Sequence, residues 1–443
     1  MKLFLPTVAY SALFMFLGTS NALNVKVYGI NYNMRQGADW EPEHIKCKSV
    51  EQVQKDMYAL KQVTDRVRIY SLVDCNQAEH LLPAAKRAGL QVHLGIWTTK
   101  DHNYLLQEKA NLARIIDLGL YDNNIIGLHV GSETIYRKEI TAETAIAYMN
   151  EIRGYLRSRN IYTPVTIADV IDVYYEYPQI ADAVDYYNVN EFAYWEGVDT
   201  NEGAAKTLDR IRAIRVKAYQ TNKVMNLAEV GWSSGGYNKT TGDSSPASQA
   251  KFFSDFYKVA TSVKMPYYWY TAFDSKWRVT NGGHDVEAYF GVFQEDDTMK
   301  RNFQDLTIEL NTPRGILSDV TKLLLTEVNA GVVMTGKTNN RLEKEQQTWF
   351  FDFKTQQVRS QSGDRCLDAF QPWDGGKVHC YRCMDNEKNQ KWAYEQSTGK
   401  LKHATYNGFC LDVDIAKNNL VQLYGCSPNN PNQKWTILDA ASI

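Results

Sequence analysis

Two glutamates stand at the ends of apolar, strand-like runs in this sequence. In "IIGLHVGSETIYR" (125–137) the run leads to Glu133, and in "VMNLAEVGWSSGG" (224–236) it leads to Glu229. A fully buried parallel strand is a nearly continuous apolar run, and α/β folds hold their chemistry at the carboxyl ends of such strands. Two carboxylates in these positions match what cleavage of a glycosidic bond with retention requires, a nucleophile and a proton donor about 5 to 5.5 Å apart.

The surroundings of the two glutamates favour this chemistry over a purely structural role. Either glutamate alone at a strand end would more often be a salt-bridge partner. Two close glutamates raise each other's pKa, and burial keeps one of them protonated near neutral pH. Flat aromatic surfaces beside the pair suit the apolar faces of sugar rings. The strand ends are expected to deliver seven aromatic residues to the same rim: Tyr32, Tyr70, Trp97, Trp195, Trp232, Trp269 and Trp277.

Eight strand-like runs recur along the chain, with helical patterns between them. They cover residues 25–32, 66–71, 91–97, 125–133, 163–170, 185–192, 224–231 and 266–274. Segments such as "SVEQVQKDMYALKQV" carry apolar residues at three-to-four spacing, the period of an amphipathic helix. Eight β/α units favour a closed (β/α)8 TIM barrel over residues 23–305 rather than an open doubly wound sheet, and the sequence has no GxGxxG or P-loop motif. In such a barrel the two glutamates can meet across the mouth.

Other kinds of chemistry find little support in the sequence. The eight histidines form no HExxH motif, no serine sits in a GxSxG elbow, and His129 on the fourth strand is predicted to be a core residue rather than a proton carrier. We therefore expect no metal and no cofactor. The 49 basic and 51 acidic residues give a net charge of −2 without a basic block, so nucleic acid is not an expected partner.

The first 22 residues are typical of a secretory signal peptide. Lys2 is followed by an apolar run and then by "TSNA", whose small residues suit signal peptidase, so residues 1–22 are predicted to be removed. The alternative, a membrane anchor, requires about 20 apolar residues, and this run is shorter and contains Pro6. The sequence thus predicts a protein that is secreted, extracellular or in the cell wall, with no membrane partner. In that compartment Cys47 and Cys75, which stand alone in the barrel segment, are expected to pair.

A threefold repeat follows the barrel. "QTW" ends at Trp349 and "QKW" ends at Trp392 and at Trp435, so successive tryptophans are 43 residues apart. The second and third copies also share "CLD" and "YxC". A short β-rich unit repeated three times predicts an all-β β-trefoil domain over residues 312–443, joined to the barrel by a linker over 306–311.

The barrel segment resembles glycoside hydrolase family 17, the β-1,3-glucanase family that includes fungal enzymes of cell-wall glucan. The similarity rests on "YGINY", "VRIYSLVDC", "LHVGSETIYR", "NLAEVGW" and "YYWYTAFDSKWR", in order over about residues 24 to 305. It implies that Glu133 is the acid/base and Glu229 the nucleophile, and the Cys47–Cys75 pair resembles the family's fungal-type disulfide. The expected substrate-binding residues are Tyr32, Arg68, Tyr70, Trp97, Ser132, Asn190, Trp232 and Trp269. Two departures are Ser132, where the family commonly has asparagine, and Ser275, where many relatives have glutamate, so Asp274 is predicted to be structural.

The repeat segment resembles the ricin-type lectin domain. The resemblance implies the disulfides Cys366–Cys383 and Cys410–Cys426, and it leaves Cys380, which aligns with Leu423, as a small buried apolar residue. It also implies two sugar sites, formed by Asp368, Tyr381 and Asn389 and by Asp412, Tyr424 and Asn432. The first copy has Leu323 to Leu325 in place of "CLD" and is expected to bind no ligand. The alternative is a trefoil that keeps its QxW core residues and has lost sugar binding.

Taken together, these features predict a secreted, monomeric, two-domain enzyme that binds β-glucan and other carbohydrate and hydrolyses β-1,3-glucan by double displacement. A glucanosyltransferase is the alternative within the same class, since it differs only in whether water or a sugar hydroxyl attacks the intermediate. A non-catalytic glucan-binding lectin is the alternative from another class. The choice between endo and exo cleavage stays open.

Overall fold

The structure of this protein is a computed structural model that describes residues 23–279, 285–384 and 386–443. A closed barrel of eight parallel strands comes first, and an all-β region follows it. The predicted fold class, a TIM barrel followed by an all-β domain, is confirmed. The predicted signal peptide, residues 1–22, lies outside the described residues.

The barrel closes because each strand pairs with the next and the eighth pairs with the first. Ile30 in the first strand is in register with Val67 on one side and with Trp269 on the other. All eight strands fall within the runs predicted from the sequence, although several are shorter. They are β1 (Gly29–Asn31), β2 (Arg66–Arg68), β3 (Gln91–Ile96), β4 (Ile125–Ser132), β5 (Val165–Val170), β6 (Tyr187–Asn190), β7 (Met225–Val230) and β8 (Tyr267–Trp269).

Amphipathic helices cover the outside of the barrel, and polar caps begin several of them. Ser49 accepts from the backbone N–H of Gln52, and Thr141 from that of Thr144, at the starts of two of these helices. Their apolar faces pack on the strands in one continuous core. The helices of the barrel segment are α1 (Glu43–Lys46), α2 (Val50–Lys61), α3 (Gln77–Ala88), α4 (His102–Asp117), α5 (Ala142–Ser158), α6 (Ile171–Glu176), α7 (Pro178–Ala183), α8 (Thr200–Gln220), α9 (Pro246–Ser262) and α10 (Arg301–Gln304). Short 3-10 helices lie at Asp74–Asn76, Ala193–Glu196, Lys276–Arg278 and Val286–Tyr289.

The C-terminal region consists of short antiparallel strands and one further helix, α11 (Arg341–Gln346). The strands are β9 (Pro313–Ser318), β10 (Leu324–Val328), β11 (Gly331–Thr335), β12 (Thr348–Asp352), β13 (Gln357–Ser360), β14 (Arg365–Asp368), β15 (Gly376–Lys377), β16 (His379–Arg382), β17 (Trp392–Glu395), β18 (Lys400–His403), β19 (Phe409–Asp414), β20 (Leu420–Gly425) and β21 (Trp435–Asp439). One sheet has the strand order β11-β10-β9-β12-β13-β14-β16, with β21 also paired with β9, and a second sheet has the order β15-β20-β19-β18-β17. Further 3-10 turns lie at Lys388–Gln390, Ile415–Lys417, Pro431–Gln433 and Ala440–Ser442.

The three repeats share one buried contact. The indole N–H groups of Trp349, Trp392 and Trp435 donate to the carbonyl oxygens of Leu325, Leu367 and Leu411, at 2.8, 2.8 and 3.0 Å. This equivalence corrects the predicted register of the first repeat by one residue. Leu324 to Thr326, rather than Leu323 to Leu325, correspond to the "CLD" triplets, so Thr326 stands where the other repeats have aspartate.

The structure contains disulfides at the three expected pairings, Cys47–Cys75, Cys366–Cys383 and Cys410–Cys426. Cys380 is a free, buried thiol. It lies opposite Leu367 in the sheet, as Leu423 lies opposite Leu411 in the third repeat. The thiol therefore occupies the core position that the alignment of the repeats indicates.

The trefoil is attached to the barrel by ion pairs along helix α8. Glu202 in the first turn of α8 pairs with Arg382 at 2.7 Å, Asp209 pairs with Arg365, and Arg215 pairs with Glu345 at 2.7 Å. The last pair is buried, since the side chains of Arg215 and Glu345 are each only 7% exposed. The barrel and the trefoil therefore contact each other along α8 from Glu202 to Arg215.

Among the described helices, none is both long enough and apolar enough to cross a membrane.

Candidate active site

A groove with a volume of about 1220 Å³ lies over the carboxyl ends of the barrel strands, and both Glu133 and Glu229 line it. Strands β5 and β6 separate the two residues around the barrel. The strand-end positions in the sequence predicted this meeting, because all eight parallel strands end at the same face.

Glu229 lies near the end of β7 and is 7% exposed. Its Oε1 atom accepts a hydrogen bond from Arg68 Nη1 at 3.0 Å, and Arg68 itself is fully buried on β2. Burial raises the pKa of Glu229 to about 7, while the Arg68 charge opposes that rise and the neighbouring Glu133 adds to it. Arg68 thus supplies the positive charge that favours the ionised form of this carboxyl in a poorly hydrated position.

A chain of buried polar groups beneath the groove orients Arg68. Its Nη2 atom donates to His129 Nε2 at 3.2 Å, His129 Nδ1 lies 3.4 Å from His93 Nδ1, and His93 contacts the hydroxyl of Tyr186. Burial, with the Arg68 charge next in size, lowers the pKa of both histidines well below the usual value, so both rings are neutral. His129 is a core residue, as predicted, and it holds the arginine that contacts Glu229.

Glu133 follows β4 in a left-handed backbone conformation, with φ of 56°. Its backbone N–H donates to the Ala168 carbonyl at 2.9 Å. Its side chain accepts from Asn190 Nδ2 at 2.7 Å, and Asn190 is the residue of β6 in register with Glu229. Asn190 therefore lies between the two carboxyl groups and contacts one of them directly.

Asp169 on β5 supports the turn that carries Glu133. Its carboxylate accepts from the backbone N–H of Ile135 at 3.1 Å and of Val170 at 2.9 Å. Burial raises the pKa of Asp169 to about 7, although these hydrogen bonds oppose the rise. The sequence did not single out this residue, because a buried aspartate that accepts backbone hydrogen bonds has no recognisable motif.

Four of the seven predicted aromatic residues line the groove: Tyr70, Trp97, Trp195 and Trp277. Ser132 lines it as well, with its hydroxyl 3.5 Å from Arg68 Nη2. Four further aromatic residues of the groove were missed: Tyr104, Tyr136, Phe192 and Tyr270. Tyr270 comes directly after Trp269, and successive residues of a strand point to opposite faces, so a shift of one position selects the wrong ring.

The prediction that Tyr32, Trp232 and Trp269 lie at the rim and bind substrate is wrong as to their position, because all three rings are fully buried. The Tyr32 hydroxyl donates to Asp56 at 2.6 Å beneath helix α2. The indole of Trp232 donates to the carbonyl of Asp243 at 2.8 Å, and Trp269 packs against aromatic residues of α9. Aromatic side chains at strand ends fill the space between strands and helices as readily as the mouth.

A charged cluster on the β5–β6 side of the groove also escaped the sequence analysis. Arg210 on α8 pairs with Asp172 at 2.6 Å, Glu196 at 3.0 Å and Glu191 at 3.4 Å. Burial raises the pKa of Glu191 to about 7, while the Arg210 charge opposes the rise. All four residues line the groove beside Trp195. The sequence feature that could have indicated this cluster is "NEFAYWEG", a run of acidic and aromatic residues at the end of β6.

Asp274 has the structural role that the sequence predicted. It is 7% exposed, pairs with Lys300 at 2.6 Å and accepts from the backbone N–H of Gly291 at 2.9 Å. It therefore fixes the segment after β8.

The two candidate sugar sites of the trefoil differ in their polar contacts. Asp368 accepts from His379 at 3.1 Å and from Gln390 at 3.2 Å, whereas Asp412 accepts from Gln422 and Asn430, both at 3.0 Å. Both aspartates are 2% exposed.

The tyrosines of the two candidate sugar sites are exposed, whereas the asparagines make hydrogen bonds within the trefoil. Tyr381 and Tyr424 expose about two fifths of their surface, as stacking platforms would. The Asn389 side chain accepts instead from the hydroxyl of Tyr406, and the backbone N–H of Asn432 donates to Asn430 at 3.0 Å.

Comparison with known proteins agrees with this geometry. A family model described as the BtgE/BtgC glycoside hydrolase domain matches residues 29–291, and one described as the ricin-type β-trefoil lectin domain matches residues 325–436. A glucan 1,3-beta-glucosidase of Saccharomyces cerevisiae is 28% identical over 269 residues, which cover 57% of this chain and 85% of that protein. The glucan endo-1,3-beta-glucosidase btgC of Emericella nidulans is 29% identical over 286 residues, or 59% of this chain and 44% of that protein.

Solved structures give the same result for the barrel. The glycoside hydrolase family 17 beta-1,3-glucanosyltransferase from Rhizomucor miehei superposes with a TM-score of 0.54 at 29% identity, covering 64% of this chain and 98% of that chain. An endo-laminarinase from Formosa, at 17% identity and a TM-score of 0.52, shares the fold. Because the first family model spans more than half of the sequence, the chain belongs to the BtgE/BtgC glycoside hydrolase domain family, with a ricin-type lectin domain after its barrel.

Proposed function

We propose that this protein hydrolyses β-1,3-glucan by double displacement, with Glu229 as the nucleophile and Glu133 as the acid/base. The observation that carries the proposal is the meeting of these two carboxyl groups in one groove, each with its own hydrogen-bond donor. Two observations support β-1,3-glucan as the substrate. The relatives are named as enzymes that act on this polymer, and aromatic residues line the groove.

The reaction needs two steps. In the first, a Glu229 oxygen attacks the anomeric carbon while Glu133 gives its proton to the departing glycosidic oxygen, which leaves a covalent glycosyl-enzyme. In the second, Glu133 takes a proton from water, the water oxygen bonds to the anomeric carbon, and Glu229 leaves as a carboxylate. Both carboxyl groups return to their starting protonation states, so the two steps together consume only water and the glycosidic bond.

The contacts support this division of roles. The Arg68 guanidinium donates to the Oε1 atom of Glu229, so it favours the anion that a nucleophile needs. Asn190 gives Glu133 a neutral donor at Oε1, which leaves the other oxygen to carry a proton. The Ser132 hydroxyl, which lines the groove next to Glu133, is the group proposed to contact a sugar hydroxyl.

The direct test is the product pattern from a defined laminari-oligosaccharide, separated by chromatography. Hydrolysis predicts products shorter than the substrate. Binding without any released sugar would instead establish a non-catalytic lectin. The matched control is Glu229→Gln, which has nearly the same shape and cannot act as a nucleophile.

Transfer to a second sugar is the alternative reaction, and one observation favours it. Trp195 is 39% exposed and lies beside the Arg210 cluster on the β5–β6 side of the groove, where an acceptor ring could stack. The Rhizomucor miehei relative is a glucanosyltransferase. Products longer than the starting oligosaccharide would show that a sugar hydroxyl competes with water for the intermediate.

We further propose that the trefoil binds sugar through Asp368 and Tyr381 and through Asp412 and Tyr424, and that it retains the enzyme on insoluble wall material. Disulfides and fungal glucanase relatives are consistent with an extracellular or cell-wall protein. Secretion through residues 1–22, a monomeric state, and the absence of nucleic-acid and membrane partners stay predictions. Adsorption to cell walls should fall severalfold in the double variant Asp368→Ala/Asp412→Ala, and equal adsorption would remove both sites from the proposal.

A further inference from the structure

The second-repeat sugar site lies next to the rim of the barrel. Helix α8 follows β6, so its first turn is at the carboxyl-end face, where the groove opens. Glu202 in that turn pairs with Arg382 at 2.7 Å, and the guanidinium of Arg382 lies 5.7 Å from the centre of the Tyr381 ring. The exposed Tyr381 ring therefore sits at the junction between the barrel rim and the trefoil.

The groove wall reaches the same turn of α8 from the other side. Glu196, which lines the groove beside Trp195, pairs with Lys206 at 2.9 Å. Lys206 is four residues after Glu202, or about 6 Å along the helix axis. The wall of the groove and the trefoil site are thus anchored about one helical turn apart on α8.

The second-repeat site continues as an aromatic surface. The His379 ring lies parallel to Tyr381, with centroids 5.9 Å apart, and Phe370 lies 5.2 Å from His379. Phe370 and Tyr381 are 42% and 44% exposed, and Asp368 beneath them accepts from His379. Apolar ring faces with a carboxylate at their edge fit the face and hydroxyls of a glucose unit.

The trefoil is fixed in place rather than tethered. The buried Arg215–Glu345 pair and the ion pair between Asp209 and Arg365 lie further along α8, and Arg341 donates to the Val263 carbonyl at 2.8 Å beyond the end of α9. A fixed second site can help only a ligand long enough to reach it. A tethered site, by contrast, would help across a broad range of lengths.

We propose that the groove and the second-repeat site bind one continuous glucan chain, which leaves the groove on the β5–β6 side over Trp195 and reaches Tyr381. This inference rests on the proposed function, because it takes glucan as the ligand of the groove. The third-repeat site is not part of the proposed path, since the ion pairs from α8 described above reach Arg365 and Arg382 of the second repeat.

The test is calorimetric titration of the full-length Glu229→Gln variant with laminari-oligosaccharides of increasing length. The Kd is expected to fall by tenfold or more beyond a threshold length, as expected for a second contact within one complex. Adding Tyr381→Ala should abolish this drop. Phe353→Ala, at a trefoil aromatic residue that is 84% exposed, is the control and should keep it.

Two results would overturn the inference: a threshold that persists in the Tyr381→Ala background, or one that Tyr424→Ala removes equally. A wild type that hydrolyses laminari-oligosaccharides although Kd shows no threshold would reject the shared path and leave the proposed function intact. A threshold in binding without any hydrolysis by the wild type would reject the proposed function and leave the shared path.

Discussion

Glu229 must be poorly hydrated and yet ionised for the proposed first step, and Arg68 is the residue that reconciles these needs. Burial raises the pKa of the carboxyl, and the guanidinium at 3.0 Å opposes that rise. His129 and His93, both neutral, hold the guanidinium without adding charge. The electrostatic balance at the proposed nucleophile thus depends on buried residues beneath the groove.

Loss of either glutamate should give a distinct result. Glu229→Ala should abolish turnover, and added azide should partly restore it as an α-glycosyl azide, because a small anion can replace the missing nucleophile. Glu133→Ala should keep activity on aryl glucosides with good leaving groups, which need little protonation. Product analysis by mass spectrometry and NMR distinguishes the two, and exchanged outcomes would reverse the assigned roles.

The raised pKa of Glu229 also predicts a pH-dependent stability. Its folded pKa of about 7 exceeds the value of about 4.3 for an unfolded glutamate, so the unfolded chain releases this proton first as pH rises. Stability is therefore lost between about pH 4 and pH 7, by about 4 kcal/mol at most. In urea unfolding, the stability of Glu229→Gln relative to the wild type should therefore be greater at pH 8 than at pH 4. An equal difference at both pH values would contradict this cause.

At the residue scale the sequence predicted that the two glutamates and Asn190 would meet, because residues at the ends of parallel strands lie at one face. Arg68, which was predicted to bind substrate, lies fully buried beneath the groove instead. The sequence also misplaced Tyr32, Trp232 and Trp269. Side chains near a strand end alternate between the mouth and the helix layer, and a strand boundary one residue in error exchanges the two.

Among the elements, the turn after β4 determines where the acid/base lies. Gly131 and Glu133 both have positive φ, of 80° and 56°, and a left-handed conformation is unfavourable for glutamate. The hydrogen bonds from Ile135 to Asp169 and from Glu133 to the Ala168 carbonyl connect this turn to β5. Strand β5 therefore fixes the position of Glu133 without supplying a group to the reaction.

Asp169→Ala should lower kcat by about tenfold with little change in KM, because a small displacement of the acid/base slows the chemical step more than it weakens substrate binding. Asp185→Ala is the matched control, since Asp185 accepts from the backbone N–H of Val165 at the opposite end of the same strand. It should reduce stability without changing kcat on glucan oligosaccharides. A wild-type kcat in Asp169→Ala would show that the turn holds its shape unaided.

The alternation of strands and helices was predictable because their periods differ, and the eight strands fall within the predicted runs. The turn geometry was not, since φ at Glu133 depends on contacts with β5 that no local pattern records. The sequence analysis misaligned the first repeat by one residue because this repeat has no "CLD" triplet to align. What it shares with the other two repeats is the hydrogen bond from the tryptophan indole to a leucine carbonyl, which only the structure shows.

Over the whole molecule, the contact between the domains depends on charged residues of α8 that look like ordinary surface charges in the sequence. Arg215 and Glu345 are 130 residues apart and both are buried. No periodicity shows which exposed-looking charges face another domain. The sequence therefore predicted two domains and their order, and it left their docking undetermined.

Glu345→Gln should destabilise the full-length protein by about 3 kcal/mol, because it leaves the Arg215 charge buried and unpaired. Asp305→Asn, which breaks the exposed pair with Arg301, should change stability by less than about 1 kcal/mol. Urea unfolding at constant pH measures both. Equal effects would show that the contact between the domains is open to water.

The central claim, double displacement through Glu133 and Glu229, is tested most directly by the configuration of the first product. Proton NMR during hydrolysis of a reduced laminari-oligosaccharide, in which the only new anomeric centre arises from cleavage, records that configuration before mutarotation. The account predicts that the β-anomer appears first and the α-anomer only later, because two inversions restore the starting configuration. Initial formation of the α-anomer would mean a single displacement by water and would contradict the assignment of Glu229 as the nucleophile.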